Sequence, residues 1–262
     1  GNKDGLSLWI GSFLFGIQIY CDFSGYSDIA IGTAKLFGFK LMRNFAVPYF
    51  SRDIPEFWRR WHISLTTWFR DYVFIPLCGG ADHKPGRIRR ILAVLGTFTL
   101  SGFWHGAAWH FVAWGFLHAL FYLPGMVFRR RKLERAFHPG SGGIREWISI
   151  MATFIAVTFA WIFFRSPTMS SAVSTAGRVL NPAMFIMTEN AWLHSHALGF
   201  LPLCLMVLAA DWFTRKRECP LFALENWKRP FRWAVYTLVL WSVFYHLPQP
   251  DVNPQEFIYF QF

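Results

Sequence analysis

The sequence predicts an all-α, polytopic transmembrane helix bundle, and three observations predict it. Of 262 residues, 54% are hydrophobic and 20% aromatic, with only 16% charged and a mean hydropathy of +0.28. An average soluble domain carries roughly 25% charged residues. The apolar residues also gather in five runs long enough to cross a bilayer. Finally, 26 Lys and Arg against 15 Asp and Glu give a net charge of +11, and the basic excess lies in short blocks between those runs, at 84–90, 129–135, 215–217 and 228–232. In a soluble protein such an excess would suggest nucleic acid. Placed between apolar runs, it is the pattern of cytoplasmic loops. The chain therefore reads as one membrane domain over residues 1–262, partnered by lipid and not by nucleic acid.

Each element follows from its local pattern. Residues 6–21 are apolar and continue into DFSGYSDIAIGTAKLFGF, polar on part of its surface, where the Ser24-Gly25 pair could kink a helix. Residues 53–74, DIPEFWRRWHISLTTWFRDYVF, open with helix-start signals. Asp53 suits the N-cap, Pro55 the first turn, and Glu56 three residues on completes a capping box. Phe57, Trp61, Leu65 and Trp68 recur at helical spacing as one apolar stripe, with Arg59 and Arg60 elsewhere, Arg70 and Asp71 near the far end, and His62 on the flank. That pattern predicts an amphipathic helix lying in the membrane interface or beneath the bundle.

Residues 91–128 are apolar throughout, about 57 Å as one helix at 1.5 Å per residue. The hydrocarbon core is about 30 Å thick, and basic blocks flank both ends. A hairpin bent near 105–109, away from the cytoplasmic face, meets both constraints. Further spans follow at 147–164, 198–213 and 233–247, the last two separated by basic residues. No signal peptide opens the chain, and it lacks a starting Met, so a longer parent protein is expected.

Three groups of residues could carry chemistry. Asp22, Ser24, Ser27 and Asp28 lie in or beside the first span. The two acids point in different directions on a regular helix, and a structural pairing of Asp28 with Arg or Lys competes with a proton or cation pathway. His62 is either a hydrogen-bonded packing residue or a functional one. His105 lies inside an apolar run, preceded by Trp104 and followed by Gly106-Ala107-Ala108. An intramembrane ionisable group is a functional candidate by default, and imidazole moves protons near neutral pH. His110 and His118 share that run and suit interhelical hydrogen bonds. No metal is expected: there is no HExxH, and His105 and His110 are five apart, off a common helix face. Nor is there a glycine-rich nucleotide loop or a GxSxG elbow. The four cysteines show no CxxC; reduced structural thiols account for them, with Cys219, beside a basic cluster, the one suited to carry a lipid.

DFSGYSDIAIG, FWRRWHISLTTWFRDYVFIPL and SGFWHGAAWHFVAWGFLH together resemble the membrane-bound O-acyltransferases. The branch they most resemble is similar to the alginate O-acetyltransferase membrane subunit and its relatives acting on other polysaccharides. The motif-bearing core covers about 15–128, and the closing PQEFIYFQF is similar to the same branch. The resemblance implies a multi-helix enzyme of the bacterial inner membrane that moves an acyl group, acetyl in that branch, from a cytoplasmic thioester toward an extracytoplasmic acceptor. Its signature histidines map to His105, regarded as catalytic, and His62. It further implies several helices ahead of DFSGYSD, and a hydrolase-like extracytoplasmic partner that finishes the transfer to a polysaccharide. Departures are Cys78 in IPLCGG, His110, and a stretch at 166–230 matching no motif.

The expected chemistry is acyl transfer with no bound cofactor. His105 would act as general base on a hydroxyl, and His62 as oxyanion donor or as the group orienting the thioester. Trp58, Trp61 and Trp104 would exclude water, while Asp22, Asp28, Arg70 and Asp71 are further candidates for the substrate path. The basic loops suit an anionic donor such as acetyl-coenzyme A or an acyl-carrier protein. Two rivals remain open on the residues alone: a proton or ion transporter using Asp22, Asp28 and His105, and a lysophospholipid-type acyltransferase.

Overall fold

A computed structural model describes residues 5–128, 143–185, 198–215 and 227–246, and among these every regular element is helical. The basic block at 129–135, Cys219 and the closing IYFQF lie outside the described residues.

α1 (Gly5–Leu36) runs unbroken for 32 residues, about 48 Å, straight through the Ser24-Gly25 pair. A Ser-Gly pair kinks a helix only where a neighbour rewards the bend. Here Gly25 has open space on all sides, and the helix continues to Lys35 in its last turn. An extended strap over residues 39–47 then leads through a short 3-10 turn (Pro48–Phe50) to α2 (Ile54–Arg60).

Asp53 caps α2 as its sequence predicts, accepting from the Glu56 backbone N–H at 2.7 Å. The reciprocal half of the box is absent, because the Glu56 carboxylate is taken by two arginines. Arg52 donates to it through Nε at 2.8 Å and Nη2 at 3.0 Å, and Arg60 through Nη2 at 2.6 Å.

The single helix expected over 53–74 is instead broken, and only its first part is buried. α2 ends at Trp61–His62, and the chain resumes as α3 (Ile63–Phe69), a wide π-helical turn (Arg70–Phe74) and α4 (Ile75–Cys78). The break divides the apolar stripe. Phe57, Trp58 and Trp61 enter the core at 1%, 6% and 3% exposure, whereas Trp68, beyond it, is half exposed. α2 thus packs into the bundle, in line with the second of the two expected placements, beneath the bundle.

α5 (Arg87–His105) and α6 (Trp109–Phe128) form the predicted hairpin, turning over Gly106-Ala107-Ala108. Two glycines set how closely they cross. A Cβ on Gly102 would stand 2.2 Å from the Phe111 carbonyl oxygen, and one on Gly115 would stand 2.1 Å from that of Phe98. α7 (Ile144–Arg165) packs behind the hairpin, burying Val157, Ala160, Trp161 and Phe164. α8 (Met169–Leu180), capped by Thr168 accepting from Ser171 N–H at 3.2 Å, packs on α1 and α7 within a stretch where the sequence offers no motif. α9 (Leu198–Thr214) and α10 (Arg229–His246) complete the described chain. By length and composition α1 and α7 can each cross a membrane, and α9 is apolar but shorter.

The crossing is testable. Gly102→Ala and Gly115→Ala should each destabilise the full-length protein by about 1–3 kcal/mol or more, the usual range for overpacking. Gly96→Ala, whose Cβ would meet only Leu77 Cδ1 at an ordinary 3.5 Å, should be nearly neutral. Thermal unfolding in detergent reads the difference, and equal melting temperatures for all three variants would contradict the assigned packing.

Candidate functional site

His105 is the last residue of α5, where the helix stops because the Gly106 N–H turns back to Phe103 O at 3.1 Å. The half-buried ring meets three aromatic neighbours edge-to-face: Trp104 at 4.8 Å, Phe164 at 5.1 Å and Trp114 at 5.2 Å between centroids. Each comes from a different context: the same helix, α7 and α6. Among the described residues no side chain or backbone group hydrogen-bonds either ring nitrogen of His105. It is therefore an imidazole without a competing partner among the described residues, standing at a turn whose Trp104 is 53% exposed.

His62 reaches the same region by a different device. Its backbone is left-handed, φ +43°, a conformation costing about 1–3 kcal/mol for a non-glycine residue unless its surroundings impose it. The strap imposes it from both sides. Ala46 N–H donates to Arg60 O at 2.9 Å, Ile63 N–H to Asn44 O at 3.0 Å, and Ser64 N–H to the Asn44 side chain at 3.1 Å. Thr66 adds a hydroxyl bond to Trp61 O at 3.1 Å. The ring sits edge-to-face on Phe23 at 4.6 Å, with the Ser64 hydroxyl 3.5 Å from Nδ1.

His62 belongs to the non-helical break, outside the spanning helices. Burial, with a smaller contribution from His105 nearby, lowers its pKa to about 4, so the ring is neutral at physiological pH. The two histidines, 43 positions apart in sequence, thus lie within electrostatic reach of one another.

The other candidates separate into groups. Trp58 and Trp61 lie in the aromatic core beneath the site. Trp58 Nε1 donates to His118 Nδ1 at 3.3 Å, which joins α2 to α6. His110 Nδ1 donates to Phe163 O on α7, also at 3.3 Å. Both histidines thus make the interhelical bonds their positions suggest. Asp22 is half-buried and Asp28 exposed on α1, with Arg43 of the strap within electrostatic reach of Asp28. Arg70 and Asp71 pair with one another on the surface at 2.7 and 3.1 Å.

One buried acid escapes sequence reasoning. Asp211 of α9 accepts from the Tyr20 hydroxyl at 2.7 Å. Its only signal is a lone carboxylate in an apolar helix. Cavities of about 670 Å³, between α1, α7, α8 and α9, and about 770 Å³, along the outer side of the α5–α6 hairpin, lie beside this centre without including either His62 or His105 in their walls. Among the described residues no cluster of His, Cys, Asp and Glu could hold a metal.

A helical bundle that delivers an unpaired imidazole to the end of an apolar helix, near a second histidine in a strained break, defines a class of membrane protein built around two half-buried histidines. The chain belongs to the membrane-bound O-acyltransferase family, whose sequence model matches residues 4–169, a segment containing both histidines. It is 35% identical over 203 residues to the probable alginate O-acetylase AlgI of Pseudomonas aeruginosa, covering 77% of this chain and 37% of that protein. It is 38% identical over 168 residues to the peptidoglycan O-acetyltransferase of Helicobacter pylori (64% and 30% covered). It is also 33% identical over 159 residues to the teichoic acid D-alanyltransferase of Bacillus subtilis (58% and 38% covered). The chain spans about a third to a half of the length of such relatives.

The Arg52–Glu56–Arg60 cluster beneath the site carries a pH signature. Burial opposes the Glu56 charge, but the hydrogen bonds from Arg52 and the charge of Arg60 outweigh it and hold the carboxyl below the usual range. A depressed carboxyl stabilises the fold at pH above its unfolded value, roughly 4.3, and loses that contribution as pH falls through the folded value. Glu56→Gln leaves the buried Arg60 without its counter-charge and should cost about 3–5 kcal/mol at neutral pH. The gap to wild type should begin to narrow as pH falls below roughly 4.3 toward the folded value; a stability gap that stays constant down to pH 3 would show that the carboxylate charge is not what Arg60 requires.

Proposed function

We propose that the full-length protein is an O-acyltransferase of the bacterial inner membrane that passes a small acyl group, acetyl by analogy with its named relatives, from a cytoplasmic thioester toward a hydroxyl on an exported polysaccharide. The observation that carries this is the His105 imidazole, half-buried among Trp104, Trp114 and Phe164, hydrogen-bonded to nothing among the described residues and close to His62. The relatives' names support the class of acceptor: alginate, peptidoglycan and teichoic acid are all hydroxyl-bearing polymers. The thioester is acetyl-coenzyme A or an acyl-carrier protein, whose anionic character suits the basic segments. The acceptor is reached through an extracytoplasmic partner acyltransferase or directly.

In this reading His105 takes the proton of the incoming hydroxyl as its oxygen attacks the thioester carbonyl. The C–O bond forms, the carbonyl π pair moves onto oxygen, and a neutral His62 donates a hydrogen bond to that oxyanion. Collapse breaks the C–S bond, and the proton on His105 goes to the departing thiolate. Base catalysis of this kind supplies about 10²–10⁴-fold, and alignment of the two substrates supplies more. The aromatic ring around His105 keeps water from competing for the thioester.

Expressed as the full-length protein in cells lacking it, His105→Ala should reduce ester-linked acyl groups on the exported polymer by at least about 10²-fold at normal protein level. His62→Ala should also lower transfer. A His105→Ala protein that folds and acylates the polymer at the wild-type rate would refute the assignment of the base.

A further inference from the structure

The strongest unassigned feature is the carboxylate of Asp211. It is the single acidic residue of α9, 9% exposed, and it lies outside the segment that the family model matches. An acid in an apolar helix is costly unless something is gained by it.

Its partners indicate what is gained. Tyr20, itself 6% exposed, donates to Asp211 Oδ2 at 2.7 Å. The Tyr20 ring packs on Phe45 at 5.8 Å and Trp61 at 6.1 Å, and Phe45 packs on Trp61 at 5.0 Å and Phe23 at 5.0 Å. Phe23 is the ring against which His62 rests. A second route runs through charge. Arg43 of the strap and Asp28 of α1 both lie within electrostatic reach of Asp211. Arg43 immediately precedes Asn44, whose carbonyl and side chain accept from the N–H groups of Ile63 and Ser64 on the far side of His62. Asp211 therefore clasps α1 and attracts the strap, the two elements that hold the left-handed break in place.

We propose that Asp211 is a positioning residue for His62, acting through Tyr20 and the Arg43–Asn44 segment of the strap. The α9 helix is then part of the catalytic framework. This rests on the acyltransfer reading above, and α9 supplies no group that touches substrate. The neutral Asn can still accept from Tyr20, whereas Leu cannot, so the two substitutions separate hydrogen bonding from packing.

The test uses the full-length protein reconstituted in liposomes with acetyl-coenzyme A as donor probe, alongside polymer acylation in cells. Asp211→Leu and Tyr20→Phe should each lower kcat by about tenfold or more, the worth of a hydrogen bond to a charged group, with a smaller change in KM. Asp211→Asn, which keeps an acceptor for Tyr20 but loses the charge that draws Arg43, should recover part of the rate. In the His62→Gln background, Asp211→Leu should add little further loss, because it acts through the residue already replaced. Melting temperatures of the purified variants accompany the rates, and a loss of rate that merely tracks a loss of folded protein overturns the proposal. So does wild-type kcat in folded Asp211→Leu, or an Asp211→Asn protein as slow as Asp211→Leu. His105→Ala runs in parallel: if it stays active the acyltransfer reading fails by itself, independently of the Asp211 result.

Discussion

Two helices that approach until a methyl group no longer fits between them set the geometry of the whole centre. At Gly102 and Gly115 the backbone of one helix lies against a carbonyl of the other, and helices meeting that closely gain van der Waals contact along their length. Neither can slide without driving a carbonyl oxygen into a Cα, so the hairpin has one register. That register fixes where α5 ends, hence where His105 stands, and which α6 side chain meets its ring. It also presents His118 to α2, whose Trp58 donates to it, while the ring of Pro55 lies where a Cβ on Gly125 would go. The segment carrying His62 is therefore seated on the same hairpin that carries His105.

Around this frame the interior is aromatic, and aromatic pairs add about 0.5–1.5 kcal/mol each beyond simple burial. Rings also hold orientation better than aliphatic side chains, having fewer torsions to lose. Trp114 touches His105, Trp58, His118, Trp161 and Phe164, and is 1% exposed. Its indole N–H and the Nε2 of His118 have no partner among the described residues. A core that tolerates unpaired donors, each costing about 1–3 kcal/mol, must regain that energy from packing. The consequence is a densely packed aromatic wall behind a half-buried imidazole.

Much of this frame was legible in the sequence, where one local signal determines one local outcome. The bend at Gly106-Ala107-Ala108 follows from a run too long for the bilayer with basic residues at both ends, and the Asp53 cap from its own chemistry. His110 and His118 had to find interhelical partners because nothing else in an apolar run would satisfy them. The failures share a cause. Periodicity read the stripe from Phe57 to Trp68 as one helix, but the strap's hydrogen bonds through Asn44 and Ala46 outweigh helical continuity at His62, and those come from residues about 20 positions upstream. Glu56 satisfies the capping-box pattern, yet its carboxylate goes to Arg52 and Arg60, because charge-assisted bonds are roughly twice as strong as neutral ones. Asp211 has no sequence pattern at all; its meaning lies entirely in Tyr20, 191 positions away.

The two histidines are delivered by opposite means, and this bears on how the centre tolerates change. His105 sits at a helix terminus, an inexpensive place whose position is inherited from the hairpin crossing. His62 occupies a strained backbone state that exists only while the strap, α1 and their clasp hold it. Strain of this kind relaxes when any of its supports is removed, whereas a helix end merely frays. The region matching the family model contains both imidazoles and the strap but ends at residue 169, before the α9 carboxylate that ties the supports together. The sequence motif therefore marks where the two histidines are, while the contacts that support the His62 break extend to a helix that carries no motif.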